Sequence, residues 1–248
     1  MRPDLLAGLE AVAASPFLGV AITLAAWEGA KVVQRRVGGH PLANPVLVAI
    51  VTTLLVLALP RISYAQYATG ADLLGLLLGP ATVALAVPIH RQLPRIRAAA
   101  LPLAAGLLCG CVTGIVSAVA LTVALAGSPE LAMSMAPKST TAPVAIALAE
   151  RLGGLPSLTA ALTILTGILG AVVGPQVLTW LRIRGAAARG LAMGVASHGI
   201  GTARALSDDL ETGAFSGLGM ALNALTTAVV LPTLLASVPW LARMTGYP

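Results

Sequence analysis

Apolar residues in this chain come in long unbroken runs and do not alternate with polar ones. Charge-free stretches cover residues 11–27, 37–60, 98–129, 152–181 and 212–242, and a bilayer-crossing helix needs about 20 such residues. The runs are apolar on every side, where a soluble helix or strand would keep a polar face with a period of 3.6 or 2.0. The pattern predicts an all-α, polytopic membrane domain occupying residues 1–248. A membrane β-barrel would need segments of about 10 residues in strict alternation between aromatic girdles. The chain has no such alternation and only 3 Trp, 3 Tyr and 2 Phe.

The polar interruptions place the loops. Three basic clusters separate apolar runs: Lys31, Arg35 and Arg36; Arg91, Arg95 and Arg97; Arg182, Arg184 and Arg189. The positive-inside rule makes these loops cytoplasmic, with Arg2 and Arg61 as minor exceptions. Seven spans follow, near 15–34, 43–60, 70–90, 98–127, 157–181, 188–207 and 213–238. The N-terminus and the acidic loop Asp208, Asp209, Leu210, Glu211 then lie outside. Residues 128–154, SPELAMSMAPKSTTAPVAIALAERLGG, remain over. They are expected to form a re-entrant or broken helix, with eight full spans as the competing count.

An internal echo supports the idea of broken helices. LAMSMAPKSTTAPVAIAL from Leu131 resembles LAMGVASHGIGTARAL from Leu191, and the same offset aligns Leu162 with Leu222 and Thr163 with Asn223. Chance similarity in Ala/Leu-rich sequence is the competing explanation. Gly79-Pro80 is a further candidate break, followed by Thr82 and repeated by Pro88, and a helix interrupted in lipid must line a protected cavity. With the charge-derived topology, residues 43–127 and 157–238 read as two inverted three-span units, a transporter signature.

Composition narrows the function. Charged residues make up 10% of the chain and hydrophobic ones 57%, with a mean hydropathy of +0.92, against about 25% charged in soluble domains. The net charge of +6 does not imply nucleic acid, because the arginines sit between apolar runs and only Lys31 and Lys138 are lysines. Cys109 and Cys111 lie within an apolar run as CGC, read as small buried residues and not as a bridge or zinc site. Asp4 and Glu10 precede the first apolar stretch and no small-residue cleavage site follows a basic region, so no cleaved signal peptide is expected.

Two polar centres carry candidate chemistry. Pro137, Lys138, Ser139, Thr140, Thr141 and Pro143 place one cation and three hydroxyls beside backbone amides that prolines free. A half-helix starting near Thr141 presents about +0.5 charge at its N-terminus, and Lys138 adds a full charge, which together suit a small carboxylate. The alternative is an ordinary helix cap with Lys138 snorkelling to water. In the second centre, Ser197, His198, Gly199, Gly201, Thr202 and Arg204 join glycines to groups that could bind or move a proton. His198 is the proton-coupling candidate, against a hydrogen-bonded structural histidine. Arg204 either clamps a carboxylate or pairs with Asp208 four residues on. Asn223 stands alone in an apolar run, where an amide needs a partner. Glu28 and Glu150 adjoin Lys31 and Arg151 and read as interfacial. Glycines such as Gly106, Gly110 and Gly114 suit close helix packing.

No nucleotide-binding loop, zinc-protease helix or nucleophile elbow is present in the sequence, and no cofactor or metal pattern. An enzyme therefore has no motif to rest on, and no channel filter is visible.

LLGPATVALAVPIHRQL, MAPKSTTAPVAIAL, LTGILGAVVGP, ASHGIGTARAL and GAFSGLGMALNALTTAVVLP resemble the LrgB/CidB membrane family from about residue 43 to 235. Ala142-Pro143 departs from the Thr-Pro expected there. The resemblance implies an antiholin-like protein of the inner (cytoplasmic) membrane, acting on murein hydrolase activity and lysis with an LrgA/CidA-type membrane partner. Plastid relatives carry glycolate and glycerate, and bacterial ones are linked with pyruvate. The expected function is therefore a secondary carrier of small 2-hydroxy or 2-oxo monocarboxylates, lactate included, with His198 as the proton-coupling candidate and the antiholin-like regulator as the alternative. Its fold resembles the cation/proton antiporter and bile-acid symporter superfamily, whose interrupted helices cross at the midplane. A chain of this size is expected to work as a homo-oligomer or with its partner in the lipid bilayer.

Overall fold

A computed structural model describes residues 15, 17–38, 43–58, 63–77, 80, 83–84 and 86–240. Among the described residues every regular element longer than a turn is a helix, and three helices are long and apolar enough to cross a membrane: Ala100–Ala124, Pro156–Trp180 and Leu210–Ser237. The chain divides into compact units at residues 84 and 85.

The first unit holds α1 (Phe17–Arg36), α2 (Pro45–Leu57) and α3 (Tyr64–Gly75). Asn44 starts α2: its Oδ1 accepts from the Val46 amide at 2.9 Å and Pro45 occupies the first turn, where no amide is needed. At 13 residues α2 is about 20 Å long, less than a typical crossing requires. Ser63 and Gln66 form a reciprocal cap on α3. The Thr23 and Tyr67 hydroxyls meet at 2.9 Å between α1 and α3. Glu28 pairs with Lys31 at 2.7 Å. Gly79 and Thr82 of the suggested break lie outside the described residues.

The second unit holds α4 (Ala86–Arg91), α5 (Leu93–Ala98), α6 (Ala100–Ala124), α7 (Pro129–Met135), α8 (Ala142–Leu152), α9 (Pro156–Trp180), α10 (Ala186–Asp208) and α11 (Leu210–Ser237). The long helices α6, α9 and α11 cover the expected spans 98–127, 157–181 and 213–238. Leu165, Leu169, Leu225 and Val229 stay exposed on α9 and α11, as lipid-facing positions would.

Two helical hairpins fold between these crossings. In the first, α7 leads in and α8 leads out. The Leu155 amide donates to Ser134 Oγ at 2.8 Å and the Thr159 hydroxyl to the Ser134 carbonyl at 3.1 Å, so the chain returns to the level it left. Residues 128–154, expected to be a re-entrant or broken helix, are a helix broken between Met135 and Ala142. Ala132, Met133, Ala136 and Leu148 seal it against Cys111, Ile115, Val119, Leu231 and Leu235.

The second hairpin corrects the expected crossing at 188–207. Helix α10 reverses at His198, whose backbone takes φ 41° and ψ −134°. Its two legs lie so close that a Cβ on Gly201 would stand 2.7 Å from the Met193 carbonyl oxygen, eight residues back. Both legs pack along the first half of α11. A Cβ on Gly194 would meet the Met220 amide nitrogen at 2.8 Å, and the Thr202 hydroxyl reaches Ser216 Oγ at 3.0 Å. The interrupted helix therefore turns back on itself at His198.

This reversal also moves the acidic loop. Because α10 leaves and returns at one end, Asp208–Glu211 lies at the arginine-rich end and not on the opposite face. Arg95 and Glu211 form an ion pair there. Asp209 caps α11: the Thr212 hydroxyl donates to its carboxylate and the Thr212 amide does so at 2.9 Å. These bonds, the hydroxyl's first, hold the carboxyl below the ordinary carboxylate range. The first hairpin has its base beside the end of α6 and the start of α9, the second beside the end of α9 and the start of α11. With 25 residues, α9 separates the two bases by about 38 Å.

Candidate functional site

The hairpin tips meet at the middle of α11. The Asn223 amide nitrogen donates to the Ser139 carbonyl at 3.0 Å and to the Val195 carbonyl at 3.2 Å, so one buried side chain ties both tips together. This is the partner that an isolated amide in an apolar run requires.

At the first tip, Pro137 and Pro143 interrupt the helical ladder. The Lys138 amide bonds to the Met135 carbonyl at 3.2 Å and that of Thr140 to Pro137 at 3.0 Å, which tightens the chain before it turns. Thr141 then starts α8 in an extended conformation, and its side chain makes no capping bond. The first-turn amides of α8 are left without an intrahelical acceptor. Lys138 Nζ donates to Ser139 Oγ at 3.3 Å. Among the described residues no carboxylate pairs with Lys138. A cavity of about 10 Å³, lined by Pro137, Ser139, Thr140, Asn223 and Thr227 among others, opens beside this tip. That is room for about one water.

At the second tip a single residue makes the turn. A non-glycine residue at φ 41° is strained, and two bonds hold His198 there. Its Nε2–H donates to the Thr163 carbonyl at 2.9 Å, which assigns that tautomer to a neutral ring. Its own carbonyl accepts the Thr202 hydroxyl at 2.9 Å. Gly167 of α9 leaves space for the ring, since a Cβ there would lie 2.8 Å from Nε2.

Four buried polar atoms around the tips have no hydrogen-bond partner: Thr140 Oγ1, Thr163 Oγ1, Ser197 Oγ and Asn223 Oδ1. Unpaired buried polar atoms are uncommon, and their concentration at one level makes these tips the candidate binding locus.

Lys138, Ser139, Thr140, Thr141, His198, Thr202 and Asn223 therefore lie at or beside the joined tips. Gly201 is buried in the leg-to-leg contact, and Gly199 is exposed. Arg204 stands apart, paired with Asp208 at 3.1 Å. Thr163, Ser216 and Thr227 belong to the polar lining but stood out weakly in the sequence. The alignment of Thr163 with Asn223 was the one signal for Thr163. Cys111 is buried with its sulfur 3.4 Å from the Thr227 hydroxyl, and Cys109 is exposed. Among the described residues no group of His, Cys, Asp and Glu could hold a metal ion.

The chain matches the LrgB-like family over residues 23–237. It is 39% identical to YxaC of Bacillus subtilis over 166 residues, 67% of this chain and 72% of that protein. It is 33% identical to YwbG of the same organism, over 89% of this chain and 99% of the relative. Both are described as uncharacterized. It is 32% identical to the holin-like protein CidB of Staphylococcus aureus, over 88% of this chain and 95% of CidB. No solved structure matches it.

Proposed function

The chain belongs to the LrgB-like family, and from that membership we propose that it is a holin-like integral membrane protein of the cell's inner membrane. It governs membrane permeability, and through it murein hydrolase activity and lysis, together with a smaller LrgA/CidA-type membrane partner. The observation that carries this reading is the similarity to holin-like CidB over 88% of the chain, joined to three helices fit to cross a bilayer. In this reading the permeability control sits at the joined hairpin tips. The internal echo between the segments from Leu131 and Leu191 falls one on each hairpin and supports a shared design of the two tips.

A specific observation favours a second reading, a secondary carrier of small 2-hydroxy or 2-oxo monocarboxylates such as glycolate, glycerate, pyruvate or lactate. Three unpaired hydroxyls, Thr140 Oγ1, Thr163 Oγ1 and Ser197 Oγ, lie around the tips, and the first-turn amides of α8 and the Lys138 ammonium belong to the first tip; these are donors of the kind an anion's oxygens need. Helix termini at midplane breaks are where carriers bind anionic groups.

One experiment separates the two. Proteoliposomes holding the chain, with and without the partner, are assayed for uptake of labelled glycolate, pyruvate and lactate and for leakage of an unrelated dye. The holin-like reading predicts partner-dependent leakage without saturable uptake, and lysis in cells producing both proteins. Saturable uptake of a carboxylate without leakage, lost in Lys138→Gln, would replace it with the carrier.

A further inference from the structure

The arginine-rich end holds a cleft that the hairpin tips do not use. It lies where α9 ends and α10 begins, has a volume of about 320 Å³, and is lined by Thr179, Arg182, Ile183, Arg184 and Arg189. Sites for small ligands start at about 300 Å³. Arg189 forms a wall: it donates to the Ile183 carbonyl at 2.9 Å and the Pro175 carbonyl at 3.3 Å, capping the end of α9. Arg182 and Arg184 line the cleft and have no carboxylate partner among the described residues. The acids at this end are committed elsewhere, Glu211 to Arg95, Asp208 to Arg204 and Asp209 to the start of α11.

The backbone adds a second observation. Ile183 N–H bonds to the Leu178 carbonyl at 2.9 Å and Arg182 N–H to that of Thr179 at 3.0 Å, the pattern of a helix end that glycine normally completes. Arg182 occupies the glycine position at φ 58°. A long charged side chain is thus kept where the backbone favours none, and such an outlier points to a role for the side chain. Trp180, 82% exposed, follows Thr179 at the end of an apolar crossing helix. Indole rings settle there at the headgroup level of the bilayer.

We propose that this cleft binds the phosphate of an anionic phospholipid headgroup, held by the Arg182 and Arg184 guanidiniums. Guanidinium forks match phosphate oxygens, and the end of an apolar crossing helix is the level at which phospholipid headgroups lie.

The test uses the full chain in nanodiscs of phosphatidylcholine with a minority of phosphatidylglycerol, the lipid retained on detergent release being measured by native mass spectrometry. The chain is expected to retain phosphatidylglycerol selectively. Arg184→Gln and Arg182→Gly should each lower retention about fivefold, the effect of removing one basic residue near an anionic surface. Arg182→Gly also relieves the strained backbone, so its thermal midpoint should equal or exceed that of the parent. Unchanged retention in both variants would overturn the proposal. Displacement of the lipid by millimolar inorganic phosphate would also overturn it, assigning the cleft to a soluble phosphate.

Discussion

The two hairpin tips solve the same problem with different chemistry. Each must reverse a chain inside an apolar environment, where an unpaired backbone group costs several kcal/mol. The first spreads its turn over Pro137 to Thr141, lets prolines remove donors, keeps Lys138 on the Ser139 hydroxyl and leaves a small cavity beside Ser139 and Thr140. The second compresses its turn into His198 and pins it through the ring and the carbonyl. The first is a donor-rich turn spread over several residues, and the second is a strained one held by two bonds. Asn223 is where they depend on each other.

The largest effect should come from removing that link. Asn223→Leu leaves carbonyls at both tips without their donor, and each such loss costs about 1–3 kcal/mol. Thermal unfolding in detergent should show a destabilisation of about 2 kcal/mol or more. A loss no greater than that of Leu222→Ala, one position away on an exposed face, would break the link between tips.

A sharper comparison concerns His198. His198→Ala loses the ring bond to Thr163 and keeps a side chain on a positive-φ backbone, whereas His198→Gly loses only the bond. The glycine variant should be the more stable of the two by about 1–2 kcal/mol, the cost of a left-handed L-residue, as read from paired melting curves. At the first tip, Lys138→Gln should change stability by no more than about 0.5 kcal/mol, because the lysine's bond is to Ser139 alone. Its effect should appear in solute passage.

The smallest expected effect is a pH dependence at the base of the second hairpin. Bonding to Thr212 lowers the Asp209 pKa in the folded state, below an unfolded value of about 3.9. Its stabilisation of the α11 start is therefore fully present above about pH 4 and is lost as pH falls through the folded value. The hydrogen-exchange protection of the first α11 amides, taken relative to their intrinsic rates, should fall on acidification below about pH 4, and Asp209→Ala should remove that dependence.

Much of this architecture was legible in the sequence. Runs 98–129, 152–181 and 212–242 are long and charge-free enough to require α6, α9 and α11, and Pro137, Pro143 and the hydroxyls between them announce a break. The internal echo falls on the two hairpins. What the sequence could not show is the sign of one dihedral angle. Residues 186–208 contain no proline, so hydropathy reads them as a continuous crossing. The reversal at His198 depends on tertiary bonds to Thr163 and Thr202, and on room left by glycines on neighbouring helices. That single reversal displaced the acidic loop from the far face to the arginine-rich end. Arg204 went to Asp208 because that carboxylate lies one helical turn away on the same leg.

The most direct test of the account is the sidedness of that loop. Single cysteines at Arg184 and at Asp208, in a background with Cys109→Ala and Cys111→Ala, are labelled in intact cells and in inverted vesicles with a membrane-impermeant thiol reagent. The account predicts that both positions react from the same face, because α10 leaves and returns at one end. Reaction from opposite faces would mean that residues 186–208 cross the bilayer, and would contradict the meeting of two re-entrant tips at Asn223.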